Sequence, residues 1–244
     1  MSLRSKARQM AVKNQASVSA VSPVGDGMVL VTATARQPEL VWEPGQAVAV
    51  VVDPDGASMK DRWRHYTVRG YDRQRGTIDF FLTRHDPSTP AGRWIESLEI
   101  GSTFTFMGPG GNPVLRAGAE HYLLVGDRTS LASMAAMLDA LSAGSSSEQG
   151  GQSVEVVVAT PDPDAAILPT TDPWPTRWIA AATAEEIREG MTAALPETVP
   201  AGTQAYVTGE MTMMRAVRGV LVDRGVPKRF IGTHAHWTPD RRGM

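Results

Sequence analysis

The chain has 244 residues, 42% of them hydrophobic, and a formal net charge of -2 at pH 7. That is enough apolar material for one large domain or two small ones, without the basic excess of a nucleic-acid binder or the acidic block of a solvating tail. The absence of cysteine excludes disulfides, thiolate metal sites, cysteine-ligated iron–sulfur clusters and cysteine nucleophiles; the five histidines lack ligand spacing, so no metal site is expected.

No apolar run reaches the length of a membrane span. The opening MSLRSKARQMAVKNQ has charge but no apolar stretch, so no secretory leader is expected and the cytoplasm is the expected location.

The first half reads as β. Alternation in Ser17–Ala20 and the MVLVTATA run at Met28–Ala35 predict two strands. Further strands are predicted at Gln46–Val52, Arg64–Tyr71, Thr77–Thr83 and Ser102–Met107, with turn residues between them. Thr89-Pro90 begins one helix, carried by Arg93–Leu98 with Trp94, Ile95 and Leu98 at helical spacing. Met107–Pro113, MGPGGNP, reads as a hinge, because glycine and proline leave no periodicity.

The second half alternates strand and helix. Strands are expected at Tyr122–Gly126, Val154–Ala159, Thr176–Ala181, Gln204–Thr208 and Arg229–Ala235. Helices are expected at Thr129–Leu141, Ala184–Leu195 and Glu210–Arg224, and the Gly/Ser-rich stretch 144–153 reads as a loop. The fold class that follows is β plus α/β. The short strands of the first half suit a small barrel or a sandwich; residues 1–112 are expected as an antiparallel six-stranded β-barrel with one helix, and residues 113–244 as a doubly wound parallel α/β domain of the nucleotide-binding kind.

Five stretches carry candidate chemistry. In RHYTVR, strand alternation puts Arg64 and Tyr66 on one face, His65 and Thr67 on the other. A flat, phosphate-bearing cofactor such as a flavin needs a neighbouring aromatic, a hydrogen-bonding group near its ring nitrogens and a cation for its phosphates. Tyr66, Thr67 and Arg64 supply these types, and an arginine fork can grip phosphate oxygens in pairs; an ordinary solvated strand reads the same way. In TPAGRW, the helix start at Ala91 and Gly92 offers backbone N–H groups to an anion, or is a plain N-terminus with Trp94 in the core.

VGDRTSLAS ends a buried strand where a doubly wound sheet binds nucleotides, although it lacks G-x-G-x-x-G; Thr129 or Asp127 caps the next helix. VTGEMTMM meets its helix at Glu210, a capping candidate, with methionines expected in the core. In HAHWTPDRRG, Trp237 either folds over a flavin or covers a domain seam, and Arg241 and Arg242 either fray or meet an anion.

Taken together, these stretches resemble the siderophore-interacting protein family of ferredoxin–NADP reductase-like flavoproteins. Its R-x-Y-T-h-R pattern (h apolar) is matched by Arg64, Tyr66, Thr67, Val68 and Arg69; D-F-x-L by Asp79, Phe80 and Leu82; and P-A-[SG]-x-W by Pro90, Ala91, Gly92 and Trp94. G-P-G-G is Gly108–Gly111, G-D-x-T-x-L runs from Gly126 to Leu131, G-E is Gly209-Glu210, and the terminal Trp is Trp237. The chain departs in having Thr83-Arg84 with His85 beyond where the family has His, and Arg128 for an acidic residue. It also has Ala132-Ser133 for Pro-Ala, and His236 for an aromatic before Trp237.

The resemblance implies non-covalent FAD and reduction of a ferric siderophore or other ferric chelate in single-electron steps. It implies flavin contacts from Arg64, His65, Tyr66, Thr67, Val68, Thr83, His85, Trp94, Thr129 and Trp237, and a pyrophosphate turn at Ala91, Gly92 and Arg93. Thr67, near the flavin N5, and Trp237 would be the residues closest to catalysis. The donor implied is NADH, NADPH or ferredoxin. ATPDPD, Ala159–Asp164, holds two aspartates and no arginine where a 2′-phosphate would need one, which disfavours NADPH. The alternatives are a flavin- or siderophore-binding module without turnover and a general NADH:flavin oxidoreductase.

Overall fold

The computed structural model describes residues 13–25, 27–35, 40–111, 113–144 and 152–239. The chain divides into two compact units, the first ending at Gly111 and the second starting with the next residue.

In the first unit, strands β1 (Lys13–Val24), β2 (Met28–Ala35), β3 (Ala47–Val51), β4 (Trp63–Asp72), β5 (Thr77–Thr83) and β6 (Thr103–Gly110) close into a barrel in the order β1-β2-β5-β4-β3-β6. Every pairing is antiparallel. Alternation explains the inside. Val29, Val31 and Ala33 on β2 lie opposite Leu82, Phe80 and Ile78 on β5, and all six are buried. Each large apolar side chain so buried contributes about 1.5–3 kcal/mol, and closure leaves no edge strand unpaired.

Two local features differ from expectation. β6 runs through Gly108 and Pro109 to Gly110, because its end pairs with Ala47 of β3; long-range pairing supplies the order that composition hides. A one-turn helix, α1 (Met59–Arg62), precedes β4. Ser58 and Asp61 form a capping box around its start, a pattern present in the sequence as SMKD. Helix α2 (Pro90–Glu96) begins at an N-cap, Thr89, as expected.

The second unit is a five-stranded sheet of β7 (His121–Asp127), β8 (Ser153–Thr160), β9 (Thr176–Ala180), β10 (Gln204–Glu210) and β11 (Ile231–Trp237). Its order is β11-β10-β7-β8-β9, all parallel. Succession runs outward in one direction from β7 to β8 and β9, and in the other from β10 to β11. The carboxyl ends of β7 and β10 therefore flank the switch point, where such sheets bind ligands.

Helices α4 (Ala184–Ala193) and α5 (Met211–Asp223) bury Ile187, Met191, Met213, Val217 and Leu221 against Leu123, Val125, Val157 and Val207. Tyr122, Leu124, Val156 and Val158 alternate to the opposite face, left to α3 (Leu131–Gly144) with its buried Leu131, Met134, Leu138 and Leu141. Met213 is a core residue, as its helical spacing suggested. No helix among the described residues is long and apolar enough to cross a membrane.

Helix α4 starts at a capping box: the Thr183 hydroxyl accepts from the Glu186 N–H, and the Glu186 carboxylate accepts from the Thr183 and Ala182 N–H groups. These bonds hold the Glu186 carboxyl below its usual range, first through Ala182. Thr183→Ala is expected to lower stability by about 1 kcal/mol. An unchanged urea midpoint would contradict the cap.

Candidate functional site

On β4, Tyr66 lies opposite Val48 and Arg64 opposite Val50, both fully buried. Arg64 and Tyr66 thus share the inner face, and Tyr66 packs against the barrel core. Its ring stacks on Trp94 of α2, with centroids 5.1 Å apart and planes 25° apart. Trp94 in turn meets Phe104 edge-on at 5.7 Å. The stack sets the Tyr66 ring, but its Oη is buried with no hydrogen-bond partner among the described residues. Burial pushes the phenol well above its ordinary pKa, and the Arg64 charge only partly offsets this.

The Arg64 guanidinium turns back over α1. Its Nη1 donates to the carbonyls of Lys60 and Trp63, the latter at 2.8 Å, while no described residue pairs with Nε or Nη2. His65 is exposed, Thr67 is half-buried, and the Val68 side chain points into the core. Thr83 is buried at the end of β5, and His85 lies exposed just beyond.

At α2, Ala91 and Gly92 are buried, and the Gly92 N–H already donates to the Thr89 hydroxyl at 3.1 Å. Glycine here is a steric demand of the turn itself, since a Cβ would stand 2.1 Å from the Asp86 carbonyl oxygen. Arg93 is exposed, bonded to the Ser88 carbonyl at 2.7 Å and 3.7 Å from Asp53. A ring held by stacking, an unfilled buried hydroxyl and a guanidinium with spare donors suit a flat cofactor with phosphates, and FAD has both parts.

The second unit gathers polar groups at the switch point. Asp127, 2% exposed at the end of β7, accepts four hydrogen bonds. Oδ1 takes the Thr129 N–H at 2.8 Å and the Thr129 hydroxyl at 2.5 Å; Oδ2 takes the Glu210 N–H at 2.7 Å and the Trp237 indole N–H at 2.9 Å. Burial pushes the Asp127 carboxyl up, and these donors pull it back, Thr129 foremost. Glu210 caps α5, with Oε2 accepting from the Met213 N–H at 2.8 Å and the Thr212 hydroxyl at 2.5 Å; its buried Oε1 has no partner among the described residues.

His236 Nδ1 lies 3.1 Å from both the hydroxyl and the carbonyl oxygen of Thr129. A carbonyl only accepts, so Nδ1 carries the proton and Nε2 is bare. Burial, with neighbouring His234, holds the imidazole down at about 4. The structure brings Thr129 and Trp237 together around Asp127, and places Arg64, Tyr66, Thr67 and Trp94 at the barrel. Arg241 and Arg242 lie outside the described residues. Asp127 as a hub and His236 as its neighbour went unforeseen, because Glu210 and Trp237 lie far from Asp127 in sequence, and Thr129 far from His236.

Residues 21–113 match the family model of the siderophore-interacting FAD-binding domain, and residues 119–240 match that of the siderophore-interacting protein. The chain belongs to the siderophore-interacting protein family. It is 30% identical over 106 residues to the ferric vibriobactin reductase ViuB of Vibrio cholerae, covering 41% of this chain and 39% of the relative. It is 26% identical over 131 residues to the ferric acinetobactin reductase of Acinetobacter baumannii, covering 52% and 45%. The matched stretches thus span less than half of these curated relatives. The siderophore-interacting protein of Acinetobacter baumannii shares the fold, with a TM-score of 0.76 at 19% identity over 94% of this chain and 92% of that one. The first unit of this family member carries its FAD-binding domain.

His236 makes stability depend on pH. Its folded pKa is about 4 against an ordinary 6.5. As pH falls through that window the unfolded chain takes up the proton first, so stability is full above about 6.5 and drains toward 4, by at most about 1.4 kcal/mol per pH unit. His236→Phe lacks this slope. The stability gap between the two proteins, from urea unfolding at several pH values, is expected to shift in favour of the variant as pH drops. Parallel curves would rule out a His236 held neutral in the fold.

Proposed function

We propose that this chain is an FAD-dependent ferric-siderophore reductase. The reading is carried by the buried Tyr66 hydroxyl, without a partner among the described residues, on a strand within the matched FAD-binding domain, beside a guanidinium whose Nε and Nη2 no described residue pairs with. The names of the curated relatives, both reductases of ferric siderophores, support the substrate class.

When bound, FAD supplies the redox chemistry that accepts an electron pair and releases electrons singly to Fe(III), which hard oxygen chelators hold less well once reduced. The chain's part is to bind and orient. Arg64 would offer Nε and Nη2 to phosphate oxygens, and Tyr66, fixed by Trp94, would give its hydroxyl to the cofactor. Thr67 would set a hydrogen bond near the ring nitrogens, and the α2 turn at Ala91 and Gly92 would lie near the pyrophosphate, with the Gly92 N–H already given to the Thr89 hydroxyl.

The donor site would lie beyond β8. There Asp162 Oδ1 accepts from the N–H groups of Asp164 and Ala165, closing an acidic turn. Two carboxylates would repel a 2′-phosphate, which favours NADH or a protein donor such as ferredoxin over NADPH.

The visible spectrum of purified protein, after FAD addition and desalting, is expected to keep a flavin band; a colourless protein would refute the cofactor reading. Arg64→Ala is expected to weaken FAD binding by about 1.5–3 kcal/mol for each charged hydrogen bond lost. Tyr66→Phe is expected to act in opposite directions: the cofactor-free protein gains about 1 kcal/mol by losing an unpaired buried hydroxyl, and FAD binds less tightly. Titration by flavin fluorescence and urea unfolding of the cofactor-free protein check both halves.

A further inference from the structure

The ends of three neighbouring strands meet at one carboxylate. β7 contributes Asp127 itself, β10 the Glu210 N–H and β11 the Trp237 indole N–H. The register of β10 on β11 shifts at this point, so that Glu210 stands opposite Trp237. The residue before it, Gly209, has φ +117°, and a Cβ there would lie 2.6 Å from Asp127 Oδ2. The backbone is thus shaped around the carboxylate, and a side chain at 209 would evict it. The other carboxylate oxygen holds Thr129, whose hydroxyl spends its proton on Asp127 and so must accept from His236 Nδ1–H.

We propose that Asp127 is a positioning residue of the reductase, fixing the Trp237 indole directly and the His236 ring through Thr129. This rests on the reductase reading for what the two rings do, but not for how they are held. The result is a pair of rings at the end of β11, each held in one orientation, with Nδ1 of His236 committed to Thr129 and Nε2 left as an acceptor only. A carboxylate is required because both of its oxygens face N–H donors. Asparagine would point an NH2 group at one of them, losing bonds while leaving volume and burial almost unchanged.

The test uses the full chain without flavin, labelled with 15N. Among the six indole N–H signals, the one missing in Trp237→Phe belongs to Trp237. It is expected to exchange with water at least about tenfold more slowly than an exposed indole, as a hydrogen bond to a buried carboxylate requires. It should also move in Asp127→Asn while the signals of the barrel indoles stay. The ring nitrogens of His236 should show Nδ1 protonated and Nε2 bare at neutral pH.

In ferric-chelate reduction, Asp127→Asn should lower kcat with FAD affinity held. Added to Trp237→Phe, it should cost less than it does alone, because the bond to the indole is already gone and only the Thr129–His236 arm is left to lose. An indole signal that exchanges as fast as an exposed one in the wild type overturns the proposal, even if Asp127→Asn fails to fold. So does a Trp237 signal unmoved by Asp127→Asn, or rate losses that multiply. A chain with the expected spectra and no reductase activity counts against the reductase reading alone, since the spectra need no flavin.

Discussion

A carboxylate removed from water must find donors for both oxygens, and Asp127 finds four. Much of the second unit's architecture is what it takes to deliver them. A parallel sheet brings β7, β10 and β11 side by side with their carboxyl ends aligned. The switch in strand order leaves a gap between the 3-10 turn Arg128–Ser130, which leads into α3, and the first turn of α5, and Asp127 and Glu210 occupy it as their caps. The helix starts would otherwise leave N–H groups unsatisfied in a buried place, and the carboxylates would otherwise lack donors. Each solves the other's problem.

The first unit follows a different constraint. A small barrel fills with alternate side chains, and here the filling continues outward as an aromatic chain from Phe80 through Phe104 and Trp94 to Tyr66. Rigid packing at the bottom of that chain is what gives the top ring a fixed plane. The residue types that a sequence reader assigns to the cofactor are therefore also the last layer of the core. Trp94 is both readings at once: a core residue, and the platform for Tyr66.

Strand and helix identity could be read from period, because each element has one buried face. The MVLVTATA run at Met28–Ala35 and the TIDFFLT run at Thr77–Thr83 have the predicted bounds. β6 was hidden past Met107 because Gly108 and Pro109 erase the pattern, and only Ala47, more than fifty residues earlier, shows that the strand goes on. The Asp127 network was hidden for the same reason on a larger scale. Its donors stand 2, 83 and 110 positions away, so no local window contains them. Thr129 and Trp237 were legible as residues that matter, but not as two arms of one bond system. Gly92 was read as room for an anion, and the carbonyl of Asp86 shows that the turn needs that room for itself.

The Tyr66 hydroxyl has a consequence for discrimination. An interior polar atom that waits for its partner taxes any occupant unable to complete it. A flat aromatic of the right size, lacking a hydrogen-bonding group at that point, would enjoy the stacking and still leave the penalty standing. The barrel can thus reject lookalikes by what it leaves unfinished, without any clash to exclude them.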